Sequence, residues 1–277
     1  MHPGTHPQSI SAQRALFRLD DKAALVTGAA GHLGRAIATG LAEAGAHVCL
    51  VGRTESTIAA LAQELTERGL KAQAEICDVT KADQIAALVE RVGARWGRLD
   101  ILVNNAHAGR AGTMANSKAS DYLGAMEIAV AAAAELVNAG HALLKAAVAQ
   151  NGDAAVINIS SMYGMVSPDP RVYGSSGMNN PPHYGAAKAA LLQYTRYAAC
   201  HLAQDHIRVN AISPGPFPPE AVCERDPNFC ATLTGKVPMG RLGKPDDLKG
   251  AAVFLASPAS RFVTGANLPI DGGWTAW

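Results

Sequence analysis

A chain of 277 residues, 48% hydrophobic and 17% charged, is long enough for one large α/β domain with a sizeable core. Its formal net charge of +1 without a long basic run argues against a nucleic-acid surface, and no run of about eighteen uninterrupted apolar residues marks a membrane span. The five cysteines, Cys49, Cys77, Cys200, Cys223 and Cys230, show no CxxC spacing and read as reduced thiols of a cytoplasmic protein.

Residues 1–18 lack the charged and apolar regions of a secretory signal and read as a flexible tail, which leaves one domain over 19–277. From Lys22 to Gly45 an apolar run, a glycine-punctuated turn and an alanine-rich amphipathic segment predict strand, turn and helix. Such a turn, here with Gly28, Gly31 and Gly34, lets backbone N–H groups approach a pyrophosphate at the positive end of the helix dipole. Strand 47–52, helix 55–68, strand 72–76, helix 82–96 and strand 100–103 follow, the last ending in Asn104-Asn105-Ala106-His107. A mostly helical stretch covers 117–149. Then come strand 154–160, a loop rich in Gly, Pro, Ser and Asn, helix 183–202, strand 207–212, a proline-rich loop, helix 246–256 and a last strand at 266–270. This alternation predicts right-handed crossovers and a doubly wound (Rossmann) parallel sheet, whose ligands bind beyond the carboxyl ends of the strands.

Thr27-Gly28 with its glycine turn, Asp78-Val79, Asn104-Asn105-Ala106, Ser161, Tyr184-Gly185-Ala186-Ala187-Lys188, Pro214-Gly215 and Asp271-Gly272-Gly273-Trp274 stand in the order and spacing of a short-chain dehydrogenase/reductase. The chain resembles that family from about Leu19 to its C-terminus. The resemblance implies a single domain with a seven-stranded sheet, a nicotinamide cofactor and a homotetramer. It assigns cofactor contacts to Gly28, Gly31, His32, Leu33, Gly34, Arg53, Thr54, Asp78, Val79, Asn105, Ala106, Tyr184, Lys188, Pro214 and Gly215, with Asp78 at the adenine edge and Lys188 on the nicotinamide ribose. Two positions depart from the pattern. His32 stands where the short subgroup has a glycine, giving TGxxGxxG, a spacing seen in sugar-nucleotide epimerases; the 89 residues after Lys188 (277 minus 188) are too few for their extra domain. His32 reads as a solvated side chain at the helix start, with no catalytic part. The family's relay asparagine falls on Ala131 or Ala132, with Asn138 as an alternative two turns on.

At the end of the second strand, Arg53-Thr54 replaces the acidic residue that would hold a ribose 2′-hydroxyl, which favours NADP(H) over NAD(H). Tyr184 and Lys188, four apart on a predicted helix, share a face. A phenol with pKa near 10 must fall by about two to three units to work near neutrality, which the lysine ammonium and an oxidised nicotinamide can supply. Ser161 is placed to hydrogen-bond the substrate oxygen, with Ser160 as its competitor; Tyr163, Tyr173, His107 and His183 read as lining or structural groups.

Ser161 and Tyr184 lie 23 positions apart, and in the enlarged loop Arg171, Tyr173, Asn179 and Asn180 are expected to shape a polar substrate pocket. Relatives resembling gluconate 5-dehydrogenase carry a similar enlargement, so the expected substrate is a small carbonyl or alcohol, a keto-sugar acid or polyol. A 3-oxoacyl reductase and a catalytically impaired dinucleotide-binding regulator are the alternatives. The loop from Pro214-Gly215 to Lys236 is expected to form a mobile lid. The nine histidines form neither HxH nor HExxH, so no metal is expected. The apolar ending LPIDGGWTAW is expected at a subunit interface.

Overall fold

The computed structural model describes residues 15–107, 112–176 and 179–277. Seven parallel strands, β1 (Ala23–Thr27), β2 (His47–Gly52), β3 (Ala72–Ile76), β4 (Ile101–Asn104), β5 (Ala154–Ile159), β6 (Ile207–Pro214) and β7 (Asn267–Ile270), form one sheet in the order β3-β2-β1-β4-β5-β6-β7. Chain direction across the sheet reverses between β1 and β4, so a crevice opens beyond their carboxyl ends. The predicted doubly wound sheet is therefore the observed one.

Strands β1, β4, β5 and β6 are buried along their whole length, as expected of strands covered on both faces. Successive residues of β1 alternate between two cores: Ala24 and Val26 pack with Ile37, Leu41 and Leu255, whereas Leu25 packs with Leu88, Val92 and Leu136. The first core is covered by α1 (His32–Glu43), α2 (Glu55–Glu67) and α9 (Lys249–Ala256), named in chain order. The second lies under α3 (Ala82–Trp96) and the long helical run that follows β4. That run is α4 (Ala119–Met126), a π turn (Glu127–Ala131) and α5 (Ala132–Asn151). The continuous helix predicted there is thus interrupted by a wider turn, in which the Ala132 N–H reaches back to the Glu127 carbonyl. By length and a mean hydropathy of 1.3, Ala119–Asn151 could cross a bilayer, but its apolar stripe through Leu136, Val137 and Leu144 packs on the sheet.

α6 (Pro182–Leu202) packs on β6, and the segment after β6 forms α7 (Glu220–Arg225) and α8 (Pro227–Lys236). Cys223 and Cys230 join these two helices in a disulfide, Cα–Cα 5.4 Å, which corrects the reading of all five cysteines as reduced. Spacing along the chain does not reveal that two short successive helices bring the Cβ atoms of Cys223 and Cys230 together. The bond also removes the thiol argument for a cytoplasmic protein, since disulfides persist in oxidising compartments. Cys49 and Cys77 are buried packing groups, and burial pushes the Cys77 thiol up to about 11.

Most of the expected tail falls outside the described residues. Within it, the Leu16 carbonyl accepts from Ala259 N–H. The C-terminal ending does not lie wholly outside its own fold: Trp274 is buried against Met162, Tyr163, Leu233 and Val237, while Trp277 is exposed.

Candidate active site

Every residue singled out in the sequence for cofactor or catalysis lines one cleft of ≈ 520 Å³ at the switch point: Gly28, Gly31, His32, Leu33, Gly34, Arg53, Thr54, Asp78, Val79, Asn105, Ala106, Ser161, Tyr184, Lys188, Pro214 and Gly215. The glycine turn is fastened to the end of β4. Thr27 Oγ1 donates to the Val103 carbonyl and accepts from the N–H groups of Asn105 and Ala106, while Asn105 Nδ2 donates to the carbonyls of Thr27 and Gly28. Gly28 has φ 62, and a Cβ on Gly34 would stand 2.2 Å from the Gly28 carbonyl oxygen, so two of the three glycines are required by shape. Helix α1 starts at His32 with no side chain capping it and no acidic residue in its first turn. Its first N–H groups are left for an anion.

At the far end of the cleft Arg53 makes no ion pair among the described residues, and Asp78 is the one carboxylate in the lining. Asp78 is held by the N–H and hydroxyl of Thr80, and the backbone hydrogen bond from Thr80, with Arg53 nearby, keeps its carboxyl below the usual range.

At the other end stand Ser161, Tyr184 and Lys188. Ser160, the competing serine, donates its hydroxyl to the Lys188 carbonyl at 2.9 Å and is thereby committed to the backbone. Ser161 Oγ accepts from the Tyr163 N–H at 3.1 Å and interacts with Tyr184. The buried Lys188 Nζ donates to the Ile159 carbonyl at 2.7 Å and lies 5.8 Å from the centre of the Tyr184 ring. Burial pushes Lys188 down to about 8. Burial also raises Tyr184, with the Ser161 hydrogen bond only partly offsetting it. Among the protein's own groups, removal of the phenolate from water outweighs the Ser161 hydrogen bond, so the depression expected from the sequence depends on the nicotinamide cation as well as on Lys188. A protonated phenol is the form that can donate to a carbonyl oxygen.

His107, passed over in the sequence as a lining group, sits edge-on to Tyr184 with ring centres 4.8 Å apart. Desolvation by the cleft wall, and then the Lys188 charge, push it down to about 4. The unfolded chain, with a His value of 6.5, takes up the proton first, so His107 contributes stability that is lost as pH falls from about 6.5 to about 4. His107→Gln is expected to flatten the acid decline of Tm in that window, a difference read from melting curves of both proteins across it.

The enlarged loop does not shape the cleft as expected. None of Arg171, Tyr173, Asn179 and Asn180 lines it. Arg171 is 84% exposed and pairs with Asp169, which also accepts from Lys236 Nζ at 2.5 Å. The Tyr173 ring meets Phe229 of α8 at 5.6 Å. The loop therefore braces the segment after β6. Asn138 is exposed on α5, away from the cleft, and Ala132 is buried, so neither side chain supplies the polar group of the relay position. No cluster that could hold a metal occurs among the described residues.

Comparison with known proteins gives a consistent picture. The family described as enoyl-(acyl carrier protein) reductase matches residues 28–275. An uncharacterised oxidoreductase of Mycobacterium tuberculosis is 38% identical over 266 residues, 94% of each chain. The cis-4-hydroxycyclohexanecarboxylate dehydrogenase of Sinomonas cyclohexanicum is 37% identical over 92% of this chain and 97% of its own. Among solved structures, the complex of RhlG with NADP from Pseudomonas aeruginosa superimposes with a TM-score of 0.86 at 33% identity, covering 94% of this chain and 98% of that one. A gluconate 5-dehydrogenase from Burkholderia cenocepacia, in complex with NADP and tartrate, gives 0.85 at 32% identity over 96% and 99%.

Proposed function

The chain belongs to the short-chain dehydrogenase/reductase family of oxidoreductases acting on CH–OH groups, and from that premise we propose that it transfers hydride between NADP(H) and the carbonyl or secondary alcohol of a small polar substrate. The observation that carries this reading is the convergence of Ser161, Tyr184 and Lys188 at one end of a cleft whose other end holds an uncommitted arginine. The cleft suits the dinucleotide: an uncapped helix start, a turn with no room for a Cβ at Gly34, and Arg53 beyond it. Once bound, the nicotinamide supplies or accepts the hydride.

The protein's own groups handle the oxygen. In the reductive direction Tyr184 gives its proton to the carbonyl oxygen, and the Ser161 hydroxyl donates a hydrogen bond to the same atom as charge develops. Lys188, with its ammonium in the protein interior, stabilises the phenolate that Tyr184 leaves behind. His107 lines the cleft beside Tyr184, and Met162 and Tyr163 belong to the buried cluster against which Tyr184 packs.

Arg53 supports NADP(H) over NAD(H), as a guanidinium free to take a 2′-phosphate by charge-assisted hydrogen bonds. Several structural neighbours are complexes with NADP. Arg53→Asp is expected to lower kcat/KM for NADPH by about a hundredfold or more and to leave or raise that for NADH, since it exchanges attraction for repulsion at the phosphate. Steady-state ratios for the two cofactors check it, and a wild type that prefers NADH contradicts the assignment.

A keto-sugar acid or polyol is the proposed substrate class. It is supported by the tartrate complex of the gluconate 5-dehydrogenase neighbour and by the polar, neutral His107 ring beside Tyr184. A relative in Pseudomonas aeruginosa named as a rhamnolipid-biosynthesis 3-oxoacyl reductase, 34% identical, keeps a β-keto thioester in the panel to be tested. A homo-oligomer is proposed from α4, where Tyr122, Leu123 and Met126 leave an exposed apolar face with Leu123 72% exposed. Light scattering measures that directly.

A further inference from the structure

Between Phe217 and α8 the chain crosses a stretch that the rest of the fold hardly holds. Before it, Pro214, Gly215 and Phe217 line the cleft and are fastened. Gly215 N–H donates to the Ile270 carbonyl and Gly243 N–H to the Pro216 carbonyl, and a Cβ on Gly243 would stand 2.5 Å from the Phe217 ring. After it, α8 is anchored through Leu233, buried with Met162, Tyr163 and Trp274, through the ring contact of Phe229 with Tyr173, and through the ion pair of Lys236 with Asp169. Helix α7 has neither kind of support. It buries none of its six residues, and Glu220, Glu224 and Arg225 make no ion pair among the described residues. A helix of that length does not stand on its own hydrogen bonds. What ties α7 to the anchored α8 is the bond from Cys223 to Cys230, seven positions on.

The two sulfurs are unequally placed. Cys230 is buried, whereas Cys223 is half-buried. Thiol exchange needs a thiolate to reach one sulfur of the bond, so Cys223 is the side open to attack. We propose that Cys223–Cys230 is a redox modification site, opened by a dithiol reductant at Cys223, and that its opening frees α7 and loosens the cleft wall at Phe217. The incoming thiolate bonds to Cys223 Sγ as the bond to Cys230 Sγ breaks, and Cys230 keeps the electron pair and takes up a proton. The reductant's second thiolate then attacks its own first sulfur, closes a disulfide within the reductant and releases Cys223, which is protonated to the thiol. Two electrons pass from reductant to protein. With the bond closed, the chain leaving Phe217 has one fixed path to α8. With it open, that stretch becomes a loop held only at its ends, and such segments of low local stability are the ones that gate a site. Ser161, Tyr184 and Lys188 stand beyond the end of β5 and on α6, which the bond does not touch, so its state sets the hold on the carbonyl substrate and spares the chemistry.

The effect on turnover rests on the reading of the cleft as a carbonyl oxidoreductase site; the release of α7 does not. The test compares the full chain, oxidised in air and after dithiothreitol, by alkylation of Cys223 and Cys230, by the rate at which trypsin cuts after Arg225, and by steady-state kinetics with NADPH. Arg225 is exposed at the end of α7, inside the ring that the bond closes. Reduction is expected to let both cysteines be alkylated, to speed the Arg225 cut by about tenfold or more, because cleavage tracks the population of the open segment, and to raise the carbonyl KM by about tenfold with kcat little changed. Cys223→Ser is expected to behave as the reduced protein and to ignore dithiothreitol; should it not fold, the reduced wild type carries the same expectation without a substitution. Cys200→Ser, which removes the free exposed thiol of α6, is expected to keep the wild-type response. An Arg225 cut or a carbonyl KM unmoved by verified opening overturns the proposal, as does alkylation of Cys223 in the air-oxidised protein or a bond that opens only on unfolding. Inactivity of the wild type with every carbonyl overturns the functional reading, and the Arg225 cut then decides the release of α7 by itself.

Discussion

Tyr184→Phe is expected to bind NADPH nearly as tightly as the unchanged protein and to lose kcat by about a hundredfold to ten-thousandfold, the usual contribution of a positioned proton donor. The substitution removes one oxygen from a ring that stays anchored by the edge of His107 and by its contact with the Met162, Tyr163 and Trp274 cluster. No described backbone group depends on the hydroxyl, so its loss leaves the cleft's shape intact. Because the proton is transferred only as the carbonyl is reduced, kcat and kcat/KM should fall together. Steady-state kinetics with a fluorescence titration of NADPH separates this outcome from general damage, which would weaken cofactor binding as well.

Gly34→Ala is expected to raise the NADPH Kd by about a hundredfold or more, close to 2.7 kcal/mol, while the fold survives. The added Cβ would lie 2.2 Å from the Gly28 carbonyl oxygen and 2.6 Å from Asn105 Nδ2, and those two atoms are bonded to each other. Neither can retreat alone. Asn105 Nδ2 also holds the Thr27 carbonyl, so relief of the clash opens the turn and withdraws its N–H groups from the phosphate site. Gly31→Ala provides the contrast: its Cβ would meet the Gly28 oxygen at 3.1 Å, and the backbone there has φ −70, a conformation open to any residue. A mild effect at Gly31 beside a severe one at Gly34 separates the shape of the turn from general intolerance to substitution.

The sheet was legible because central strands buried on both faces leave nearly continuous apolar runs such as Ala23–Val26, and because turn glycines punctuate them. The cleft residues were legible because their chemistry is tied to spacing: Tyr184 and Lys188 one helical turn apart, and the glycines around a tight turn. What escaped depends on contacts between distant segments. The Cys223–Cys230 bond needs α7 and α8 to meet, and the enlarged loop turns out to hold Lys236 and Phe229 through Asp169 and Tyr173. No local pattern encodes either. The π turn escaped because Glu127–Ala131 reads as ordinary amphipathic helix.

The central claim, an NADP(H)-dependent carbonyl oxidoreductase, is tested most directly by following the absorbance of NADPH during incubation with a panel of polar ketones, keto-acids, keto-sugars and a β-keto thioester. The account predicts steady consumption with at least one member of the panel, abolished by Tyr184→Phe and much slower with NADH. Tight binding of NADPH with no consumption across the panel, or equal rates for wild type and Tyr184→Phe, would contradict it and leave a dinucleotide-binding regulator as the better description.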